Sequence, residues 1–244
     1  MSVEMVVSLC AAVLAVSFLY SSVGHAGASG YIAAMTLFGL APSFIRPVAL
    51  VLNILVASIA SWQFYKAGHF SWELFWPFAI LSIPFAFLGG YLNLPTHAFK
   101  IIIGIVLFCS AVQFILHPKE DKEPHAPDKS TSIYLGMGLG FLSGLTGVGG
   151  GIFLTPLLIF MRWSRTKTAS AVSAVFILVN SLSGLIGNIA STKQLPFLAL
   201  PLAMTAVVGG FVGSYLGSRR FPPRMIKTLL GVVLAIAGYK LIFA

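Results

Sequence analysis

Two glycine-rich runs, one in each half of the chain, are the residues best suited to chemistry in this sequence. The first reads Gly-His-Ala-Gly-Ala-Ser-Gly over residues 24–30, and the second reads Leu-Thr-Gly-Val-Gly-Gly-Gly over residues 145–151. Glycine readily interrupts a helix, and the N-terminal end of the helix that resumes after the break is partly positive. Each run therefore predicts a place where a small anion could bind.

Small polar groups around these runs are the candidate anion ligands, because they donate hydrogen bonds without adding a fixed charge. We also include one asparagine from each of the helices that follow, since these helices carry polar stripes. The candidate binding residues are Ser21, Ser22, His25, Ser29, Asn53, Thr146, Gly149, Gly150, Thr155 and Asn180.

His25 is the candidate for proton coupling, because it is the histidine that falls inside a predicted membrane segment, at the interruption between the apolar runs 3–20 and 28–40. Ionisable residues at membrane depth suggest function, and histidine can gain or lose a proton near neutral pH. The alternative is a neutral histidine that only braces the broken helix with a hydrogen bond.

The composition is that of an integral membrane protein. Of the 244 residues, 58% are hydrophobic and 9% are charged, and the mean hydropathy is +0.96. Soluble domains carry about 25% charged residues. Four of the six acidic residues fall between residues 120 and 128. No carboxylate is expected deep in a span, which disfavours a carboxylate proton relay or a divalent-cation pathway and leaves sodium open.

Signatures of catalysis are absent from the sequence. It contains no Gly-x4-Gly-Lys-Ser/Thr nucleotide loop, no His-Glu-x-x-His motif, and two cysteines without metal-type spacing. We expect no enzyme, no cofactor and no metal site. The net charge of +9 comes from Lys and Arg in short loops, so it predicts membrane topology rather than nucleic-acid binding.

Ten apolar runs follow one another along the chain, and a polar, proline-containing linker over residues 119–130 divides them. A membrane-crossing helix needs about 20 residues, so the two shortest runs either cross or form re-entrant segments. The fold class is an all-α polytopic membrane protein with about eight to ten membrane segments. The runs are 3–20, 28–40, 47–65, 72–92 and 99–116, then 133–145, 152–161, 168–189, 196–216 and 225–243.

The two halves resemble each other in residues as well as in hydropathy. Besides the glycine-rich runs, Pro77 corresponds to Pro201, and Gly-Tyr-Leu at 90–92 corresponds to Ser-Tyr-Leu at 214–216. We therefore expect two homologous repeats, over residues 1–118 and 131–244, each with a broken helix near its start.

The distribution of basic residues favours inverted repeats. If each half crosses the membrane an odd number of times, eleven of the 15 Lys and Arg residues share one side with the linker. Parallel repeats would divide them nine against six. The positive-inside rule prefers the first arrangement, with both termini outside and the linker in the cytoplasm.

Three functions fit these features. A secondary transporter would use the paired breaks as one substrate site, with a proton or sodium ion as coupling ion. A passive anion channel would use the same breaks as a narrow pore. In a non-transporting scaffold, the glycines would only allow close helix packing. A homo-oligomer is compatible with all three.

The second run, followed by Ile-Phe-Leu-Thr-Pro-Leu-Leu at 152–158, resembles the sulfite exporter TauE/SafE family of membrane permeases. The Lys-Thr-Ala-Ser-Ala stretch at 167–171 and the glycines at 209, 210 and 213 are also similar to that family. The resemblance extends over nearly the whole chain.

This resemblance implies a permease of a bacterial-type inner membrane that moves sulfur-containing anions, such as sulfite or organosulfonates, usually outward. The first copy departs from the glycine-rich pattern of the family. It has His25, Ala26, Ala28 and Ser29 where the second copy has Thr146, Gly147, Gly149 and Gly150.

Overall fold

All regular structure in the described part of the chain is helical. The computed structural model describes residues 3–92, 108, 111–112, 123–192 and 200–243. Most of the predicted run 99–116 lies outside these residues, as do the first part of the linker and the start of the run 196–216.

Nine helices occupy the described residues, and each corresponds to a predicted apolar run. In the first half they are α1 (Val3–Ser22), α2 (Ala28–Leu37), α3 (Pro42–Lys66) and α4 (Trp72–Tyr91). In the second half they are α5 (Lys129–Thr146), α6 (Gly151–Phe160), α7 (Thr166–Thr192), α8 (Leu200–Arg219) and α9 (Pro223–Phe243).

The ends of the helices follow local chemistry. The Ser71 side chain caps α4 by accepting a hydrogen bond from the Leu74 amide, and Asp128 caps α5 by accepting one from the Thr131 amide. That amide and the Thr131 hydroxyl lower the pKa of the Asp128 carboxyl below its ordinary value. The predicted start of α3, at residue 47, is wrong, because Pro42 suits the first turn and the helix continues through Pro47.

Five of the described helices are long and apolar enough to cross a membrane: α1, α3 from Phe44, α4, α7 and α8. Two shorter apolar helices, α2 and α6, have ten residues each, which is about 15 Å of helix at 1.5 Å per residue. The protein is thus a multi-pass integral membrane protein. Among the five spans, α3 and α7 are the most buried and α1 is the least.

Glycines bring α4 and α5 into close contact along their whole length. Gly136, Gly140 and Gly144 of α5 lie directly against the backbones of Phe78, Ser82 and Ala86 of α4, with no room for a Cβ. Residue numbers rise together along both helices, so α4 and α5 run in the same direction.

An equivalent contact joins α1 and α8. Gly209, Gly213 and Gly217 of α8 lie against α1 at Leu14, Phe18 and Ser22 in turn. These two helices are therefore also parallel to each other.

The two most buried helices, α3 and α7, cross at the centre in opposite directions. Asn53 of α3 contacts Ser181 of α7. The Leu50 side chain, one turn earlier in α3, lies 3.9 Å from where a Cβ of Gly184, further along α7, would be. Val56 and Gln63 of α3 meet Gly210 and Arg219 of α8. Consequently α1, α3 and α8 point one way, and α4, α5 and α7 point the other way.

Candidate functional site

Each glycine-rich run breaks the chain between a long helix and a short one. The first break joins α1 to α2 and ends at Gly27, and the second joins α5 to α6 and ends at Gly150. Gly149 has a φ of +83°, and a Cβ there would lie 2.8 Å from Asn53 Nδ2. Both the backbone conformation and the lack of space therefore require glycine at this position.

His25 connects the first break to the second half of the protein. Its Nε2 lies 2.7 Å from Thr155 Oγ1 of α6, and the Thr155 hydroxyl donates to Ser173 Oγ of α7 over 2.7 Å. All three side chains are buried. This chain of hydrogen bonds joins the first break, α6 and α7.

The hydrogen bonds of Thr155 fit one tautomer of a neutral His25. Because the Thr155 hydroxyl proton is directed to Ser173, the Nε2–H of His25 donates to Thr155 Oγ1. Nδ1 then carries a lone pair, and it has no hydrogen-bond partner among the described residues. A proton taken up at Nδ1 would turn this acceptor into a donor.

Asn53 of α3 connects the second break to α7 in a similar way. Its Nδ2 donates to the Val148 carbonyl and to Ser181 Oγ, both over 3.3 Å. Its Oδ1 is buried without a hydrogen-bond partner in the described part of the chain. Two hydroxyls are also buried without a hydrogen-bond partner among the described residues. They belong to Ser143, which lies against Gly150, and to Ser170, which lies against Gly24.

Both breaks contribute to one small cavity. The first break lines it with His25 and Ser29, the second with Val148 and Ile152, and α7 adds Ile177. Its volume is about 10 Å³, which is room for one water molecule. None of its lining residues is acidic. Ala28 and Ile152 belong to the first turns of α2 and α6, so the positive ends of both short helices adjoin this space.

Six of the ten candidate residues make contacts at the two breaks, whereas the other four make contacts within their own helix or with a neighbouring helix. His25, Ser29, Asn53, Gly149, Gly150 and Thr155 surround the two breaks as described. Ser21 and Ser22 face Gly213 and Gly217 of α8. The remaining two, Thr146 and Asn180, are bonded to carbonyls of their own helices, and Asn180 also accepts from Ser82 of α4.

Sequence reasoning missed two contributors to the breaks. Tyr20 lines the cavity, and its hydroxyl is 2.9 Å from Ser29 Oγ. Its position five residues before His25 was a usable signal, because the His25 amide returns to the Tyr20 carbonyl at the helix end. The second contributor is Arg46, which the sequence presents only as a topology charge.

Arg46, near the start of α3, connects this helix to two other helices next to the second break. Its guanidinium donates to the carbonyls of Gly89 and Gly90 in α4 and of Gly144 in α5, at 2.9, 3.2 and 2.5 Å. The Arg46 Cγ also lies 3.0 Å from where a Cβ of Gly147 would be. These carbonyls belong to helix C-terminal ends, where a cation is favourable.

The described residues contain no group of three or more His, Cys, Asp or Glu side chains able to hold a metal ion. The site is instead built from hydroxyl, amide and imidazole groups at two helix breaks. Paired helix breaks of this kind form the substrate sites of many membrane transporters. The chain is a member of the Sulfite exporter TauE/SafE family, whose model matches residues 9–241.

Curated relatives carry transporter names. The chain is 39% identical to the "Probable membrane transporter protein y4hK" of Sinorhizobium fredii, over 97% of this chain and 98% of that protein. It is 26% identical to YjnA of Bacillus subtilis, over 98% of this chain and 100% of the relative. It is also 23% identical to MamO of Paramagnetospirillum magneticum, over 85% of this chain and 40% of that protein. No solved structure matches the chain.

Proposed function

We propose that this protein is a secondary transporter for small sulfur-containing anions, such as sulfite or organosulfonates, and that it exports them across a bacterial-type inner membrane by alternating access. The observation that carries the proposal is the shared cavity, which is lined by residues of both helix breaks and of the first turns of α2 and α6. Membership of the TauE/SafE family supports sulfite and related anions as the substrate class.

The chemistry around the breaks suits a small oxyanion. Helix N-termini supply amide donors and a partial positive charge. Ser143, beside Gly150, and Ser170, beside Gly24, do not line the cavity, but their hydroxyls have no partner among the described residues. They could donate to oxygen atoms of the substrate once the cavity enlarges. Specificity would come from these fixed donors rather than from a fixed charge.

The directions of the helices support inverted repeats over residues 1–118 and 131–244. Equivalent helices point in opposite directions, since α1 is antiparallel to α5, α3 to α7 and α4 to α8. The contact of α1 with α8 is then the counterpart of the contact of α5 with α4. With the run 99–116 counted, ten segments would place both termini on the side opposite the linker.

Transport requires the cavity to enlarge. A space of about 10 Å³ accepts a single water molecule, and a four-atom oxyanion is larger. A cavity this small disfavours a permanently open pore, and it is compatible with one state of an alternating-access carrier. Movement of the α1, α3 and α8 group against the α4, α5 and α7 group would open it to one side at a time.

His25 is the proposed site of proton coupling. As a neutral side chain it presents a lone pair at Nδ1, which repels an anion. Protonation at Nδ1 supplies both a positive charge and a donor, so proton and anion would bind together. Sodium is the alternative coupling ion, because Asn53 Oδ1 and backbone carbonyls at the second break could coordinate it.

The test is exchange of labelled sulfite in liposomes that contain the purified protein. A carrier accelerates uptake when unlabelled anion is preloaded on the other side, and a channel does not. We expect His25→Ala to lower the rate more than tenfold, about the loss of one charge-assisted hydrogen bond, and to remove the dependence on a pH gradient. His125→Ala, at an exposed linker position, is the matched control.

Three results would contradict parts of this proposal. Flux without acceleration by preloading would favour the channel. Parental transport by His25→Ala would leave His25 a structural role only. If neither sulfite nor a small sulfonate moved, or altered the thermal stability of the protein, the substrate class would be wrong.

A further inference from the structure

A second and much larger cavity lies at the linker end of the helices, away from the two breaks. Its volume is about 520 Å³, within the ~300–1,000 Å³ typical of small-ligand sites. Three parts of the chain enclose it: the start of α4, the linker at Pro124 and Pro127, and the turn from α6 into α7. The His125 amide donates to the Arg162 carbonyl over 3.0 Å and holds the linker against that turn.

The polar lining of this cavity suits a phosphate group. Lys129 and Arg165 contribute two exposed cations. Neither forms an ion pair with a carboxylate among the described residues. Ser164 is only 9% exposed, and its hydroxyl has no hydrogen-bond partner in the described ranges. A phosphate oxygen could accept from this hydroxyl while the two cations balance its charge.

Glu73 is the one acidic residue in the lining. It lies in the first turn of α4 and is exposed. A purely anionic ligand would be repelled by this carboxylate, whereas a ligand with an amine beside its phosphate could pair with it. The lining thus matches a zwitterion better than a simple anion.

The apolar side of the cavity continues onto the outer surface of α4. Trp76 lines the cavity and is 44% exposed. Ile80 and Ile83, one and two turns further along α4, are also exposed and lie on the same face of the helix. In a membrane-spanning helix, such a face contacts lipid. Tryptophan is typical of the boundary between headgroups and acyl chains.

We propose that this cavity binds the headgroup of an amine-bearing phospholipid, with phosphatidylethanolamine as the matching chemistry. The phosphodiester lies against Lys129, Arg165 and the Ser164 hydroxyl, and the ammonium pairs with Glu73. An acyl chain follows Trp76, Ile80 and Ile83 along α4. A soluble phosphate ester would make the same polar contacts but would not contact the apolar face of α4.

Lipid titrations of the purified full-length protein in detergent, followed by native mass spectrometry, test the proposal. We expect phosphatidylethanolamine to bind more tightly than phosphatidylglycerol or phosphatidylcholine. Lys129→Gln combined with Arg165→Gln should weaken its binding by about tenfold or more, because charge-assisted hydrogen bonds are lost. Arg220→Gln, an exposed arginine outside the cavity lining, should bind as the parent does.

Two further variants separate the parts of the site. Glu73→Gln should remove the preference for phosphatidylethanolamine over phosphatidylglycerol while keeping the affinity for phosphate. Exchanging the two cations, as Lys129→Arg with Arg165→Lys, should preserve binding. Trp76→Ala should weaken lipid binding but not the binding of O-phosphoethanolamine, the soluble headgroup.

The outcomes are distinct. Parental lipid binding by the double glutamine variant would overturn the site. Displacement of the lipid by an equal concentration of inorganic phosphate or O-phosphoethanolamine would overturn its assignment to a lipid and leave a soluble phosphate ester as the ligand. An unchanged headgroup preference in Glu73→Gln would overturn the pairing with the amine.

Discussion

Thr155 illustrates how single residues assemble the site. It accepts from His25 and donates to Ser173, each over 2.7 Å, so one hydroxyl holds parts of both halves of the chain. Sequence analysis selected His25 and Thr155 for their polarity near the breaks. It could not pair them, because 130 residues separate them and local spacing does not encode such contacts.

We expect Thr155→Val to lower both transport and stability. Valine keeps the shape but leaves His25 Nε2 and the Ser173 hydroxyl without this partner, at about 1–3 kcal/mol for a buried unsatisfied group. Thr146→Val is the matched control, because the Thr146 hydroxyl donates only within its own helix, to the Leu142 carbonyl over 2.7 Å. Thermal melts and exchange assays on both variants measure the effect, and equal melting temperatures would contradict it.

The placement of Ser21 and Ser22 shows what residue type alone does not reveal. Both directly precede the first break, yet they contact α8, because α8 presents Gly213 and Gly217 at that level. Which face of α1 meets α8 depends on glycines nearly 200 positions away in sequence. The polarity of the two serines was therefore a poor guide to their role.

We expect His69 to make the stability of the protein depend on pH. This side chain lies in the turn between α3 and α4, and its Nε2–H donates to the Ser218 carbonyl over 3.1 Å. Partial burial lowers the pKa of His69 below its ordinary value of 6.5, against the opposing effect of that hydrogen bond, and nearby Lys167 lowers it further.

Because this pKa is lower in the folded state, the unfolded state binds more protons as the pH falls below about 6.5. The contribution of His69 to stability is complete above that value and is lost as the pH falls through the folded pKa. When the pH is lowered from about 7.5 to about 5.5, we expect the melting temperature of His69→Gln to fall less than that of the parent protein. Identical pH profiles for the two proteins would show that another group is responsible.

At the scale of helices, the sequence predicts where helices form and how long they are better than it predicts which helices pack against each other. Run lengths are set by the bilayer and breaks by glycine, so the ends of the nine described helices match the predicted runs within five residues, the start of α3 differing most. Parallel packing of α4 on α5 was not predicted. It depends on which of the α5 glycines face α4, and that is decided by shape complementarity between two distant segments.

Two glycines of α5 allow a direct test of this packing. Gly140 lies against the Ser82 backbone with no room for a Cβ, whereas Gly138, half a turn away, has nothing within 4 Å. We expect Gly140→Ala to lower the melting temperature, at about 1–3 kcal/mol of overpacking. Gly138→Ala should be neutral or stabilising, by up to about 1 kcal/mol of helix propensity.

Melting temperatures of both variants in the same detergent decide this point. If alanine were tolerated equally at 138 and 140, the contact between α4 and α5 would not be as close as described. If Gly140→Ala kept its stability but lost transport, the contact would be a moving one rather than a fixed one.

At the scale of the whole molecule, charge counting and helix direction are independent observations that both support the proposed inverted topology. The count uses only where Lys and Arg fall along the chain. The directions come from contacts such as Asn53 with Ser181 and Gly140 with Ser82. The sequence did not predict which helices pair between the two halves of the chain, because the described helices of each half pack mainly against those of the other half.

Inverted repeats make a prediction about two equivalent turns, Ala41 after α2 and Met161 after α6, which are both exposed. We replace Cys10 and Cys109 by serine, introduce Ala41→Cys or Met161→Cys, and label intact cells with a membrane-impermeant maleimide. Ala41→Cys should be labelled from outside, and Met161→Cys only after permeabilisation, together with a Glu123→Cys marker in the linker. Parallel repeats would place both turns on the same side, so identical labelling of the two would disprove the inversion and the rocking motion that depends on it.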